Sequence, residues 1–296
     1  YARLFAAKRS TPDGKPLLLD ADQLGDAESA AFLELRRELF GLRAEAGGPD
    51  EPVVTPEWSS PLQFPPGQAI TIVCSELPPE RRAAFGNAHP RDADYIESYK
   101  YADLDALIEL LPAVVAFNPT SPIAVGTVGE LSTDDLTAHL IALGGVDWNA
   151  VTAAALTDLS HVPVRQLERV TDGDIGGFSV GTPEGRRKLE PKVRREGENA
   201  TLVEDVAQFL RAPNPYNRQR TLTFFSGMFS RGSYGVVRAL TDPKIQERNA
   251  TYVARRFPGA DTYSIVCRVK IVANEVVVPD WTVTELRLHE WPEAVD

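Results

Sequence analysis

Short unbroken apolar runs alternate along the chain with segments in which apolar residues recur every three or four positions. The runs 69–76, 140–145 and 220–227 predict buried β-strands, whereas 101–117 has the spacing of an amphipathic helix. Strands and helices in alternation are typical of an α/β domain. We therefore expect a Rossmann-like, three-layer fold with a mainly parallel sheet, helices on both faces and a C-terminal antiparallel hairpin (261–281) at one edge.

The same patterns place the remaining elements of this domain. Further strands are predicted within 121–131, 162–170, 176–182 and 285–291, and further helices at 132–140, 150–159, 202–212, 230–240 and 243–257. Residues 77–98, rich in Pro, Arg and Asp, predict a surface excursion that acts as a lid or is simply a long loop. The charged stretch 183–201 predicts a solvated insertion, with an arm over an anionic ligand as the alternative.

Composition divides the chain into three parts. Residues 1–45 are an N-terminal helical segment, 46–68 are a linker rich in proline and glycine, and 69–296 are the α/β domain. Within the first part, 22–45 carry one narrow apolar stripe, so this helix must dock on another surface. It either packs on the main domain or forms a dimer seam or a connection to a preceding domain, and a homodimer is one expectation.

Charge and cysteine content exclude some classes of protein. The 296 residues carry a formal net charge of −11, which argues against nucleic acid as a direct partner. The chain has no apolar stretch long enough for a membrane span, and its two cysteines, Cys74 and Cys267, lie in apolar runs as expected for core residues in a cytoplasmic protein. None of the four histidines has a metal-ligand spacing, so we expect no metal and no bound cofactor.

Two glycine-rich loops carry the strongest indication of a binding site. In open parallel sheets, ligands bind beyond the carboxyl ends of the strands, and GGVDWN (144–149) and SGMFSRGSYG (226–235) each follow a predicted strand and lead into a helix. Glycines and a helix N-terminus suit a phosphate group, so a nucleotide-like ligand is expected, although plain turn geometry explains the same glycines equally well. The predicted ligand-binding residues are Gly144, Gly145, Trp148, Asn149, Ser226, Gly227, Ser230, Gly232 and Ser233.

Catalysis would need a base at the same edge of the sheet. Glu76 ends a predicted strand and Asp147 lies in the first glycine-rich loop, so these two are the candidates for a hydrolase acting on a glycosidic or phosphate bond of a nucleotide. Asp103 and Asp105, near the start of a predicted helix, are more simply explained as capping residues. A third hypothesis is a dimerising interaction domain with a vestigial pocket.

Several word-like stretches also resemble a known family. YARLFAAKRS, ITIVCSELPPERR, LGGVDWNAVT, APNPYNRQRT and SGMFSRGSYGVVRALTD resemble a family of actinobacterial proteins of unassigned activity, in which a helix-turn-helix region often precedes such a chain. The chain is also similar to Rossmann-like nucleotide-sensing domains. Because it has GGVDWN and RGSYGVVRA in place of their PGGxGTxxE motif, the resemblance implies a ligand-sensing domain of a regulator and no particular reaction.

Overall fold

A computed structural model of the chain describes residues 60–293, except 172, 183–184 and 198, together with a few residues between 25 and 31. The chain divides into two compact units, Tyr1–Glu57 and Trp58–Asp296, of which the second contains the predicted α/β domain. Nearly all of the predicted 22–45 helix, and with it the predicted dimer seam, lies outside the described residues. Within the described part, no helix is both long and apolar enough to cross a membrane.

Twelve strands and six helices make up the described part of the second unit. The strands are β1 Ile70–Cys74, β2 Ile123–Gly126, β3 His139–Leu143, β4 Val164–Leu167, β5 Gly177–Val180, β6 Arg187–Leu189, β7 Lys192–Glu196, β8 Asn199–Asn214, β9 Asn217–Gly227, β10 Tyr263–Val272, β11 Glu275–Val277 and β12 Arg287–Trp291. The helices are α1 Pro79–Arg82, α2 Leu104–Phe117, α3 Thr133–Leu136, α4 Ala150–Asp158, α5 Ser230–Thr241 and α6 Gln246–Arg256. Short 3-10 segments occupy Glu97–Lys100, Val128–Glu130 and Thr284–Leu286.

A nine-stranded mixed sheet forms the centre of the unit. Its order is β11-β10-β8-β9-β3-β1-β2, with β12 beside β10 and β7 beside β8. The four strands β2, β1, β3 and β9 are parallel, and the others join antiparallel. This confirms the α/β prediction in its coarser form, including the hairpin of β10 and β11 and the edge strand β12. The antiparallel part is larger than predicted, because β7 and β8 belong to it as well.

The parallel part contains a reversal of strand order. From β1 the chain passes through α2 to β2 on one side, and then returns past β1 to β3 on the other side. Such a reversal opens a crevice at the carboxyl ends of the two central strands, which is where open α/β sheets hold their ligands. The crevice therefore lies above β1 and β3.

The two faces of the sheet are covered differently. Helices α2, α5 and α6 cover one face, where Leu110, Val237 and Val253 belong to one buried cluster. On the other face, α4 shares the covering with a separate antiparallel sheet of order β4-β5-β6, which buries Val164 and Phe178. The second face thus has a small sheet beside α4 and the short helix α3, whose Leu136 packs on the same cluster, where the prediction had helices. The reason is that the chain after α4 returns as short strands with apolar inner sides.

Strand β8 overturns the prediction of a helix at 202–212. The segment is apolar on both sides, with Ala207 and Phe209 in the cluster under α2 and α5, and Val206 and Leu210 in the cluster under α4. A strand buried on both faces loses its alternation of apolar and polar residues, and its spacing then resembles that of a helix. The charged stretch 183–201 is likewise ordered in its described residues, since it supplies β6, β7 and the start of β8.

The end of the predicted linker is part of the core. Leu62 and Phe64 are buried against the domain. The side chain of Asn118, just after α2, holds this segment, because its Nδ2 donates to the Leu62 carbonyl and its Oδ1 accepts from the Phe64 amide, both at 2.8 Å. The proline-rich composition of 46–68 therefore conceals two residues that pack like core residues.

Both cysteines are buried thiols without a disulfide. Cys74 ends β1, and Cys267 lies in the middle of β10. Burial raises the pKa of each thiol to about 12, so neither ionises near neutral pH. Both thiols therefore behave as the small core side chains that the sequence predicted.

Candidate functional site

The two glycine-rich loops meet above the parallel strands. The Gly144 amide, after β3, donates to the Phe225 carbonyl near the end of β9 at 2.8 Å. On the other side, the Ser75 amide after β1 donates to the Leu143 carbonyl at 2.9 Å. The residues that follow β1, β3 and β9 are therefore held together at one edge, and they line two adjoining cavities.

The larger of these, which we call the outer cavity, has a volume of about 700 Å³. Three arginines from separate elements line it: Arg81 from α1, Arg169 from the segment after β4, and Arg195 from β7. The remaining lining residues are Asp147, Trp148, Val170, Thr171, Gly173, Asp174, Ile175, Val193, Ala200, Leu202 and Phe229. Both the 77–98 excursion and the charged 183–201 stretch thus contribute residues to the cavity lining, and the expectation of an arm over an anionic ligand stays a prediction.

Arg169 is fixed in place by the loops around it. Its Nε donates to Asp147 Oδ2 at 2.5 Å, and its backbone amide donates to Asp147 Oδ1 at 3.0 Å. The guanidinium carbon lies 5.6 Å from the centre of the Trp148 ring and 5.1 Å from that of Phe229. Arg81 also faces Trp148, at 6.0 Å. An arginine whose orientation is set beforehand loses little entropy when it binds a planar or tetrahedral anion.

A smaller space, which we call the inner cleft, continues below the outer cavity. Its volume is about 40 Å³, and it shares Asp147, Trp148, Arg169 and Phe229 with the outer cavity. Its other lining residues are Ser75, Ala102, Asp103, Gly145, Gly227, Met228, Ser230 and Ser233. The inner cleft therefore combines a carboxyl group with several hydroxyl groups.

Asp103 stands at the N-cap position of α2 but does not cap it, since its side chain makes no capping hydrogen bond. The capping interpretation is therefore wrong for this residue. The carboxyl lies instead beside the hydroxyls of Ser75 and Ser233. Burial raises its pKa, while hydrogen bonding to these two hydroxyls and the charge of Arg169 act in the opposite direction.

A second buried carboxyl, Asp205 of β8, lies at the N-terminus of α5. Its Oδ2 accepts from the amides of Phe229 at 3.0 Å and Gly232 at 2.8 Å, and its Oδ1 accepts from the Val206 amide at 2.8 Å. Burial raises the pKa of this carboxyl to about 7, although the three amides and the charge of Arg169 lower it. Asp205 thus takes the position at the helix N-terminus that an anionic ligand would otherwise occupy.

The predicted residues of the first loop divide into two groups. Asp147 and Trp148 line both cavities, and Gly145 lines the inner cleft. Gly144 has a φ of +103° and lies against Ser75 and Asp103. Asn149 is fully buried: its Oδ1 accepts from the Val151 and Thr152 amides, and its Nδ2 donates to the carbonyls of Val73 and Leu143. Asn149 therefore caps α4 and ties it to the strands.

The predicted residues of the second loop are mostly buried. Gly227, Ser230 and Ser233 line the inner cleft, whereas Ser226 is buried and its hydroxyl has no partner within the described part of the chain. The Gly232 amide donates to Asp205, so an anion could use this amide only by displacing that carboxylate. Assignment of these loop residues to a ligand stays a prediction.

Glu76, the other candidate base, lies outside the lining of both cavities in the described part of the chain. Its backbone is engaged, because its amide donates to the Trp148 carbonyl at 2.9 Å and the residue forms an isolated antiparallel bridge with Tyr101. Asp147 does line both cavities, but its two carboxylate oxygens are bound by Arg169.

The charged or buried ionisable groups Arg169, Asp205 and Asp103 were not among the predicted site residues. The sequence pattern indicates only a strand at Arg169, a helix at Asp205 and a cap at Asp103. One usable signal is present: Asp205 and Glu204 interrupt an otherwise apolar run, and a buried carboxyl in such a run needs a partner. Arg81 and Arg195 have a weaker signal, because they lie in the segments for which a lid and an arm were two of the expectations.

Comparisons with known proteins add no assignment. No protein-family model matches the chain, and no curated protein is significantly similar to it. The described residues contain no group of three or more His, Cys, Asp or Glu side chains able to hold a metal ion. The function must therefore be inferred from the crevice itself.

Proposed function

We propose that the crevice binds a phosphorylated small molecule of the nucleotide type, and that the protein is a ligand-sensing domain of a regulatory protein. The observation that carries this proposal is the convergence of Arg81, Arg169 and Arg195 on one cavity in a chain of net charge −11. Arginine is suited to bidentate contacts with phosphate oxygens. The volume of about 700 Å³ is within the usual range for small-molecule sites.

The position of the cavity supports the same proposal. It lies at the carboxyl ends of parallel strands where the strand order reverses, as nucleotide sites do in Rossmann-like folds. We accordingly propose that the unit is a Rossmann-like variant in which a small sheet replaces part of one helical layer. Trp148 and Phe229 provide flat apolar surface for a base or sugar beside the arginines.

The positions and hydrogen bonds of the two candidate bases favour a binding role over hydrolysis. The Asp147 carboxylate is engaged with Arg169, and Glu76 does not line the cavity. A general base must lie within hydrogen-bond reach of the proton that it removes. Hydrolysis would thus require rearrangement around Arg169, whereas binding requires none.

Thermal unfolding in the presence of nucleotides and sugar phosphates tests the proposal. A specific ligand at about one hundred times its Kd should stabilise the wild-type protein by about 2.7 kcal/mol. Arg169→Gln should abolish the shift and Arg195→Gln should reduce it. The matched control is Arg194→Gln, which removes the same charge from the adjacent position of β7, where the side chain points to the other side of the strand.

Two results would contradict the proposal. One is the absence of a shift with any phosphorylated compound in the wild-type protein, and the other is a full shift retained in Arg169→Gln. Incubation of a stabilising nucleotide with the protein, followed by chromatography, separates the two functions: an unchanged nucleotide supports binding, and its conversion supports the hydrolase.

A further inference from the structure

The inner cleft differs in chemistry from the outer cavity that it adjoins. The outer cavity has three arginines, whereas the deep part of the inner cleft presents Asp103, Ser75 and Ser233. These three residues are 8%, 1% and 1% exposed. Arg169 lies at the junction, because it lines both spaces. One molecule bound across the junction would thus meet cationic groups at one end and a carboxyl with hydroxyls at the other.

The volume of the inner cleft limits what can enter it. A cavity in which the centre of a water molecule has roughly 10–15 Å³ of room can hold one water. At about 40 Å³, against about 700 Å³ for the outer cavity, the inner cleft therefore suits a small group such as a hydroxyl or hydroxymethyl better than a sugar ring or a base. The bulk of any ligand must remain in the outer cavity.

The polar groups of the inner cleft are oriented to receive a hydroxyl. Ser75 Oγ lies 3.2 Å from the Leu143 carbonyl and also beside the Asp103 carboxyl, so its single proton goes to one of these two groups and its lone pairs can accept a hydrogen bond. Ser233 Oγ accepts from the Gly227 amide at 3.1 Å, which leaves its proton for Asp103. Asp103 lines the cleft as well, beside both hydroxyls. A ligand hydroxyl can donate to one of these oxygens and accept from another.

Charge favours a hydroxyl over an ionised group. An anion would lose its hydration beside the buried carboxyl of Asp103, and an ammonium would lie next to the positive charge of Arg169. The Asp147 carboxylate also lines the cleft, but both of its oxygens already accept hydrogen bonds from Arg169. A neutral hydrogen-bonding group is the occupant that costs least.

We propose that the inner cleft is a hydroxyl subsite, so that the ligand is a sugar phosphate or polyol phosphate, free or as part of a nucleotide, with its phosphate on Arg169 and one hydroxyl on Asp103. This inference rests on the proposed function and specifies its ligand class. On this proposal, Asp103, Ser75 and Ser233 determine specificity for the hydroxyl, and the arginines provide affinity for the anion.

Two probes of equal carbon number test the subsite. Glycerol 3-phosphate and propyl phosphate share the phosphate and the three-carbon chain, but only the first has free hydroxyls. In an NMR titration of the wild-type protein, glycerol 3-phosphate should bind about tenfold more tightly, as expected for one or two added hydrogen bonds. Asp103→Asn should remove this preference, so that the two probes bind this variant with similar Kd.

The matched control is Asp105→Asn, an exposed carboxylate two residues further along the chain, which should keep the preference. Ser233→Ala is the second variant, and it should weaken glycerol 3-phosphate alone. Equal binding of both probes to the wild-type protein, or a preference retained in both Asp103→Asn and Ser233→Ala, would overturn the hydroxyl subsite. If propyl phosphate still depends on Arg169 in that case, the proposed function stands.

Two further outcomes complete the test. Failure of both phosphates to bind the wild-type protein would overturn the proposed function and this inference together. Tightest binding by 3-aminopropyl phosphate would assign the inner cleft to an ammonium group and would overturn the hydroxyl assignment.

Discussion

The loops 144–149 and 226–235 both connect a parallel strand to a helix, and both have the glycines of a phosphate-binding turn. In each, however, a side chain of the protein already occupies the start of the helix. Asn149 caps α4 from within its own loop, while Asp205 caps α5 from the neighbouring strand β8. Each loop presents an aromatic ring to the outer cavity, Trp148 from the first and Phe229 from the second.

The comparison teaches that glycines in such turns serve close packing as readily as anion binding. A Cβ atom at Gly227 would clash with the backbone of Gly232 and Ser233, so this glycine lets the end of β9 touch the first turn of α5. With the helix ends occupied, the positive groups that face the outer cavity are guanidinium groups. The central claim is therefore that this crevice recognises an anion through Arg169 and its neighbours, and not through backbone amides.

The largest predicted effect concerns these glycines. Gly227→Ala should destabilise the protein by about 3 kcal/mol or more, because the new methyl group meets the backbone of Gly232 and Ser233. Gly144→Ala should have a similar effect, since the residue combines a φ of +103° with a close approach to Ser75 Oγ. Denaturant unfolding measures both. Gly129→Ala, where nothing lies within 4 Å, is the control, and equal stability of all three variants would refute the packing role.

The two internal caps should have the next largest effect. Asn149→Ala removes the acceptor of two helix amides and the donor to two strand carbonyls, and Asp205→Ala removes the side-chain acceptor of three amides. Each change should cost about 2 kcal/mol in the free energy of unfolding. A loss below about 0.5 kcal/mol in either variant would mean that the corresponding helix end is open to a ligand.

The raised pKa of Asp205 predicts that the free energy of unfolding depends on pH. Its folded-state pKa is raised from 3.8 to about 7, so between these values the folded protein holds a proton that the unfolded chain has lost. Stability should consequently fall as pH rises from about 4 to about 7, by up to about 1.4 kcal/mol per pH unit, and level off above about pH 7. Asp205→Asn should flatten this slope relative to the wild-type protein and to Asp105→Asn. An unchanged slope in Asp205→Asn would show that this carboxyl titrates normally.

The sequence predicted the parallel strands and their helices well, because each is a distinct apolar run or an amphipathic stretch. It failed at β8, where burial on both faces removes the alternation of a strand. It also predicted the location of the crevice, since the residues after β1, β3 and β9 do meet. The chemistry of the crevice escaped prediction because Arg169, Asp103 and Asp205 lie far apart in sequence and are joined only by tertiary packing.

The smallest predicted effect compares the two rings that hold Arg169. Trp148→Leu and Phe229→Leu each remove one aromatic face from the guanidinium while keeping apolar volume. A cation–π contact of about 0.5–1 kcal/mol corresponds to a two- to fivefold weaker affinity for a phosphorylated ligand. Isothermal titration measures the change. Unaltered affinity in both variants would show that the rings do not contribute to the arrangement of Arg169.

A crystal structure with a bound nucleoside monophosphate tests the central claim most directly, because it locates the phosphate. The predicted result is a phosphate in the outer cavity with oxygens about 2.7–2.9 Å from the guanidinium nitrogens of Arg169. A phosphate seated on the backbone amides of 145–148 or 230–232, away from Arg169, would contradict it.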